Sequence, residues 1–434
     1  MIGKIQGLKT LIMWGVLMEL LYLAFYFVPS GQPSVAWFTT VHIFGWALLL
    51  IRFVFVKTPS EHVIGRWLYL VIGFGIVFRL TLVPHDIVAS DDIFRYVWDG
   101  RVGLSGENPY RYTPIDRAVA HLQTEDLPAR INHPEMRTIY PPLAQVFFMV
   151  SNFLFGPSVS GMKLLFVLFD LLTMVILVRL LRQRNSSPNV LLLYAWSPLP
   201  VLYIGLDGHL DALGISFLLM FLLFVSEKKP VQSAFALGSA TLAKLYPLMV
   251  APFLFWEEKG WRRIALVLIP VMMLVAGTLF YIEPTGGLIE SFLVFSSSFE
   301  FNGSIFKVLL SLLHSNELAH NISAMLLFLT LVAVFFLRRP ILDKVFLAFL
   351  AFIVCSASVQ PWYLLWLNAL LVVRWSRAVF VLIGTIGLSN LVVYDYVGSG
   401  VWADQQWILL VEYIPFFILL IPELVTSLRR KTDV

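Results

Sequence analysis

Ser90-Asp91-Asp92-Ile93-Phe94-Arg95-Tyr96-Val97-Trp98-Asp99-Gly100-Arg101 concentrates more reactive chemistry than any other stretch of the chain. Adjacent carboxylates, two arginines and several aromatics follow directly on an apolar segment that ends at Val83. Charges this dense beside a membrane face are seldom idle. A carboxylate next to a low-dielectric surface has its pKa raised toward working pH and can take a hydroxyl proton as a general base. Asp92 is the first candidate for that role and Asp91 the second, the alternative for both being solvated acids that cap the helix beginning near Ile93. A helix from about position 92 sets Arg95, Tyr96 and Asp99 on one face at i+3, i+4 and i+7. Arg95 and Arg101 then either anchor that face or meet an anionic substrate.

Further groups follow along the chain. Asn108-Pro109-Tyr110 and Asn132-His133-Pro134-Glu135 precede Tyr140-Pro141-Pro142, whose prolines end one element and open the next. His133 can assist proton transfer, hold a phosphate, or be purely structural. Gly205-Leu206-Asp207-Gly208-His209-Leu210-Asp211 has the glycines of a tight turn. His209 and Asp211 are plausible metal ligands with no clear third, so phosphate or sugar contact is preferred. No cofactor is expected; a divalent cation is the one addition these residues would allow. Lys244, in Ala243-Lys244-Leu245-Tyr246-Pro247, is an ionisable group within an apolar segment and is read as a phosphate contact, against simple snorkelling. Gln360-Pro361-Trp362-Tyr363 is either an interfacial aromatic belt or a wall for sugar or prenyl chains. Glu19, His42 and Asp170 lie inside apolar segments and are expected to pair between helices.

These groups need a scaffold, and composition supplies it. Of 434 residues, 59% are hydrophobic and 13% charged, with a mean hydropathy of +0.82. A soluble domain carries about 25% charged residues. The chain is therefore an all-α polytopic membrane protein, read as one embedded domain over 1–434 with a polar outer loop at 84–141. The net charge of +4 reflects loop Lys and Arg and implies no nucleic-acid partner. Cys355, the only cysteine, excludes an intrachain disulfide. There is no glycine-rich phosphate loop, CxxC pair, HExxH motif or fixed-period repeat. Lys4 and Lys9 precede an apolar run longer than a cleavable signal core, so an uncleaved first helix is expected.

A spanning helix needs about 20 apolar residues. Candidates are 10–28, 35–56, 64–83, 160–181, 188–205, 210–226, 264–282, 319–337, 341–358, 361–373, 378–394 and 406–428. Positive charge marks the cytoplasmic ends. Most of the 31 Lys and Arg, among them Lys4, Arg52, Lys57, Arg182, Lys229, Arg263, Arg339, Arg377, Arg430 and Lys431, fall at alternate ends. The opposite ends gather Asp91, Asp92, His133, His209, Asp211, Glu283, Glu300, Gln360, Trp362 and Asp395. With both flanks cytoplasmic, 230–256 is expected to turn back near Lys244-Leu245-Tyr246-Pro247, and 142–156 to lie shallowly in the outer leaflet. Broken backbone at that depth needs protein or a watery cavity over it.

Taken together, Asp91-Asp92-x-x-Arg95-Tyr96, Trp98-Asp99-Gly100-Arg101, Asn108-Pro109-Tyr110, Asn132-His133-Pro134-Glu135, Tyr140-Pro141-Pro142, Gly208-His209-x-Asp211, Lys244-x-Tyr246-Pro247 and Pro361-Trp362-Tyr363 resemble, in order, the polyprenyl-phosphate-mannose-dependent mannosyltransferases of the GT-C superfamily. The resemblance covers most of residues 80–370. It implies about 11–13 transmembrane helices with a large first outer loop. It implies an acidic base in that loop, mapping to Asp91 or Asp92, and a lipid-linked sugar donor whose tail lies between helices. The expected function is inverting transfer of a hexose, mannose first, to a lipid-linked or glycan acceptor on the outer, periplasmic face of a bacterial inner membrane. Catalytic candidates are Asp92, Asp91 and His133. Substrate-binding candidates are Arg95, Tyr96, Arg101, Asn108, Tyr110, Tyr140, His209, Asp211, Lys244, Tyr246, Gln360 and Trp362. Other donors (glucose, aminoarabinose) and a lipid-substrate flippase are the alternatives. A flippase would place its site at the bilayer midplane, often between repeats.

Overall fold

Apolar residues fill nearly every helix of the chain, and among the described residues no β-strand forms. The structure, a computed structural model, describes residues 2–55, 64–124, 126–281 and 287–429. Lys57, Glu283, Arg430 and Lys431, assigned sides above, lie outside these.

Among the described residues, eight helices are long and apolar enough to cross a membrane, or nine with the bent pair Pro188–Ala195 and Pro198–Leu206 counted as one span. The expected segments 210–226, 341–358 and 361–373 form shorter helices: Asp211–Ser226, Ile341–Cys355 and Leu364–Val373. At 1.5 Å per residue the 16 residues of Asp211–Ser226 reach about 24 Å, less than the roughly 30 Å hydrocarbon layer. Asp211–Ser226 starts just after the turn at Gly208, Ile341–Cys355 ends where Ser356 becomes extended (φ −70°, ψ 139°), and Leu364–Val373 follows a 3-10 turn at Pro361–Tyr363. The segment 230–256 is broken, as its charges required. Pro230–Ala243 ends where Lys244 becomes extended (φ −155°, ψ 133°), and a 3-10 helix, Tyr246–Trp256, packs back beside it.

Contacts divide the chain into two compact units, each assembled from separated segments. The first comprises Met1–Ala89, Asp170–Asp207 and Gln360–Val434. Here the polar groups expected to pair inside spans do so. Arg79 and Asp170, both fully buried, form an ion pair that Tyr194 completes by donating its hydroxyl to Asp170. Arg79 Nη1 also donates to the carbonyls of Gly75 at 2.9 Å and Ala195 at 2.8 Å. Thr81 donates to Glu19 at 2.6 Å, and His42 Nε2 lies 2.8 Å from the Ile383 carbonyl. Asp207 accepts the backbone N–H of Val88 at 2.8 Å and of Ala89 at 3.2 Å, closing the loop just before the acidic stretch.

The second unit comprises Ser90–Phe169 and Gly208–Val359 and holds most of the candidate site. Its centre is the helix Asp92–Leu104, packed along Pro142–Phe155. Pro142 opens the second helix at a position that lacks an intrahelical N–H partner in any case. The two backbones meet at Gly100: a Cβ there would stand 2.2 Å from Asn152 Nδ2 and 2.4 Å from the Phe148 carbonyl oxygen. Tyr96 stacks on Phe148 with ring centroids 4.8 Å apart at 11°. Asp211–Ser226 and Pro230–Ala243 form a helical hairpin through a turn at Lys228, whose φ is +56°.

Candidate functional site

Asp92 is the first residue of its helix and Asp91 the residue before it. A negative charge suits a helix start, where backbone N–H groups point outward. Asn132, brought in by the long loop, donates its amide to Asp91 Oδ1 at 2.6 Å and to Asp92 Oδ1 at 2.9 Å. His209 Nδ1 lies 3.9 Å from Asp92 Oδ2. The Asp92 side chain is 22% exposed and His209 1%. Removal from water, then the charge of Asp91, pushes the Asp92 carboxyl up to about 6, against the Asn132 hydrogen bond and the positive charge of Lys244; Asp211 adds a further push upward. Burial also raises Asp91, again opposed by Asn132 and by His133.

A second cluster adjoins the first. Lys244 Nζ donates to both carboxylate oxygens of Asp211 at 2.7 Å, and the Tyr246 hydroxyl donates to Asp211 Oδ1 at 2.9 Å. Local sequence makes this possible. Gly208 takes φ +72°, and a Cβ there would stand 2.3 Å from Ile93 Cδ1, so the turn carrying His209 and Asp211 sits directly against the acidic helix. The helix break at Lys244 frees its side chain to reach Asp211. Burial and the nearby Lys244 hold His209 well below the usual imidazole pKa, so its ring is neutral. Lys244 is then the formal cation beside Asp92, and its side chain keeps 17% exposure.

Arg95, Tyr96 and Asp99 share one helix face, as their spacing required, but that face turns into protein. Arg95 Nε donates to Asp99 Oδ1 at 2.8 Å and Nη1 to the Met136 carbonyl at 2.8 Å. Gln145 Nε2 donates to Asp99 Oδ2 at 3.1 Å and Thr138 Oγ1 at 2.9 Å. Of the two roles open to Arg95, the geometry matches the anchor. Tyr96 is buried between Phe148 and Tyr140. Tyr110 is buried and donates to the Tyr140 carbonyl at 2.6 Å, while Asn108 Oδ1 accepts the Tyr110 N–H at 3.0 Å. Arg101 lies half-buried, nine residues on from Asp92, about 13 Å along the axis. His133 is 53% exposed and pairs with Glu135 at 3.4 Å; its ring edge meets Phe299. Gln360 and Trp362 belong to the other unit, where Trp362 packs on Tyr203.

Asn132, Gln145 and Thr138 organise the site without having been singled out individually in the sequence. Gln145 had a signal, as one of two amides, with Asn152, in a mostly apolar helix. Asn132 stood in the Asn132-His133-Pro134-Glu135 motif, but nothing local gave its role: its partners lie 41 and 40 residues away. Among the described residues no three His, Cys, Asp or Glu side chains converge as a metal ion would need.

The fold and site define a class: polytopic all-α membrane proteins with an acidic pair at the head of a loop helix. This chain belongs to the alpha-(1->6)-mannopyranosyltransferase family, whose N-terminal-domain model matches residues 17–258. That match spans the acidic pair, Asn132, His209, Asp211 and Lys244, and agrees with the mannosyltransferase resemblance of the motifs. The chain is also similar to GPI mannosyltransferase 1 of Saccharomyces cerevisiae, 23% identical over 189 residues, 42% of this chain and 39% of the relative. It therefore spans well under two thirds of that relative's length. Among solved structures it is similar to ArnT from Cupriavidus metallidurans bound to undecaprenyl phosphate, with 16% identity, a TM-score of 0.43, and coverage of 82% of this chain and 76% of that one.

Proposed function

We propose that the protein is an inverting mannosyltransferase of the inner membrane, using a polyprenyl-phosphate mannose at a site on the periplasmic face. The single observation that carries this reading is Asp92: a partly exposed carboxylate, held by Asn132, with its pKa pushed up to about 6 beside the cation Lys244. Such a group is ionised at neutral pH and still basic enough to take a hydroxyl proton. Family membership supports mannose as the transferred sugar. The gathering of Lys and Arg at alternate segment ends supports the sidedness.

In the proposed reaction Asp92 accepts the proton of an acceptor hydroxyl on a lipid-linked or glycan acceptor. The oxygen attacks the anomeric carbon as the bond to the phosphate oxygen breaks. The electron pair leaves on the polyprenyl phosphate, whose growing charge Lys244 offsets. Attack from the face opposite the phosphate inverts the anomeric centre, so an alpha product requires a beta-linked donor. The experiment is Asp92→Asn, purified and reconstituted in lipid, supplied with a polyprenyl-phosphate mannose of defined anomer. A drop of at least about 100-fold in transfer is expected; near-normal transfer removes Asp92 as the base.

A further inference from the structure

Two adjacent carboxylates repel, and the chain must hold them without cancelling the basicity of either. A lysine or arginine between them would pull both strongly toward ionisation. Asn132 offers a neutral group with two hydrogens on one nitrogen, enough for one bond to each acid. Its distances, 2.6 Å to Asp91 Oδ1 and 2.9 Å to Asp92 Oδ1, are those of charge-assisted bonds. The orientation of the amide is dictated by its partners, because the reverse orientation would aim its carbonyl oxygen at two acidic oxygens.

The loop that carries Asn132 is pinned on several sides. Ile131 N–H donates to the Pro128 carbonyl at 2.9 Å, and Met136 N–H to the His133 carbonyl at 3.0 Å. Arg95 holds the Met136 carbonyl, and Arg137 pairs with Glu290 at 3.3 Å. A donor on so constrained a loop fixes the rotamer of what it binds. With Oδ1 of Asp92 engaged, Oδ2 faces the His209 side.

We propose that Asn132 is a positioning residue: by holding the Oδ1 atoms of Asp91 and Asp92 together, it presents Oδ2 of Asp92 as the oxygen that takes the acceptor proton. This rests on the reading of Asp92 as the base. Asp91 then acts as the charge that strengthens that base. The other titratable groups that face Asp92 are Lys244 and Asp211, with His209 and the hydroxyls of Tyr96 and Tyr140; His133 acts on Asp91. Among these neighbours Asn132 and Lys244 favour the ionised form of Asp92, and Asp91 and Asp211 oppose it.

Opposite signs give a test that a merely structural role would not pass. The full chain is reconstituted in lipid as wild type, Asn132→Ala, Asn132→Asp and Asp91→Asn. Protonation of Asp92 is followed by the pH dependence of its carbodiimide labelling, read by peptide mass spectrometry, which needs no sugar donor. Asn132→Ala moves the labelling midpoint to higher pH and Asp91→Asn moves it lower. Asn132→Asp, isosteric but with a third carboxyl in place of the donor, moves it further up. With a polyprenyl-phosphate mannose, Asn132→Ala lowers kcat on the order of 10- to 100-fold at pH 7, with donor KM within about twofold. A midpoint unmoved in both Asn132 variants overturns the assignment whatever the activity. Shifted midpoints together with no turnover by wild type support Asn132 as the holder of the pair and count against the donor reading instead.

Discussion

Lys244 holds its ammonium 2.7 Å from each carboxylate oxygen of Asp211, and Asp211 has no exposed side-chain surface. The pair joins a helix start at Asp211 to a helix break at Lys244, 33 residues apart. It sets where the cation beside Asp92 stands, and Tyr246 adds a third hydrogen bond to the same acid.

Breaking this pair should damage the protein from either side, with different signatures. Asp211→Ala removes the anchor of Lys244, and Lys244→Met strands a buried carboxylate; losing one partner of such a pair costs about 3–5 kcal/mol. Thermal unfolding in detergent should show lower midpoints for both. Lys244→Arg, which keeps the charge, should fold close to normally while transfer still falls. Full activity in Lys244→Met would rule out its part at the leaving phosphate.

Asp92 sets the pH behaviour. As a base it works only when ionised, so kcat/KM should rise with pH through about 6 and then level off. Stability runs the other way. The folded protein holds this proton more tightly than the unfolded chain, whose carboxyl titrates near 3.8. The stability this proton contributes is fully present below pH 4 and lost as pH rises through about 6. Asp92→Asn should therefore be inactive yet more stable than wild type at pH 7, by at most about 3 kcal/mol, with the gap closing below pH 4. Denaturation midpoints at pH 4 and pH 7.5 decide it; equal gaps at the two values contradict the assignment.

Gly100→Ala tests the helix contact under the acidic pair. A methyl group would land within 2.4 Å of the Phe148 carbonyl oxygen, a backbone atom in a helix that cannot swing aside. Overpacking of this kind costs about 1–3 kcal/mol. A lower unfolding temperature is expected, with near-UV circular dichroism reporting loss of the Tyr96–Phe148 stack. An unchanged midpoint would mean the two helices are not held this close.

Arg95 separates anchoring from substrate contact. Arg95→Ala leaves Asp99, 1% exposed, without its ion partner and should destabilise by about 3–5 kcal/mol. Arg95→Lys should rescue little, since a point charge cannot meet Asp99 and the Met136 carbonyl with the same fork. At a temperature where the variants remain folded, donor KM should stay within about twofold of wild type. A large rise in KM would mean that Arg95 meets the substrate after all.

Much of this protein was legible in its residues. Hydropathy and the placement of Lys and Arg made it a polytopic helical membrane protein. The i+3, i+4 and i+7 spacing from Asp92 put Arg95, Tyr96 and Asp99 on one helix face. Charged flanks on both sides of 230–256 required a break near Lys244, and the chain breaks there. Motif order along the chain was enough for the mannosyltransferase resemblance, and the particular family came from comparison with known proteins. All of these are local properties: propensity, period and desolvation act on neighbouring residues, so a linear reading captures them. The number of helices long enough to span was less legible, because a hydropathy run does not say where the backbone turns, as at Gly208, or leaves the helix, as at Ser356.

What only the tertiary structure decided is the direction in which each side chain is used. Arg95 sits three residues from Asp92, but packing turns it onto Asp99 and Met136. Lys244 is far from Asp211 in sequence and bonded to it in space. Asn132, which carried no periodic or compositional signal, holds both acids. Side-chain partners separated by 30 or 40 residues are fixed by which helices pack and where a loop is pinned. Pairing of that kind is a property of the assembled core, and no window of sequence contains it.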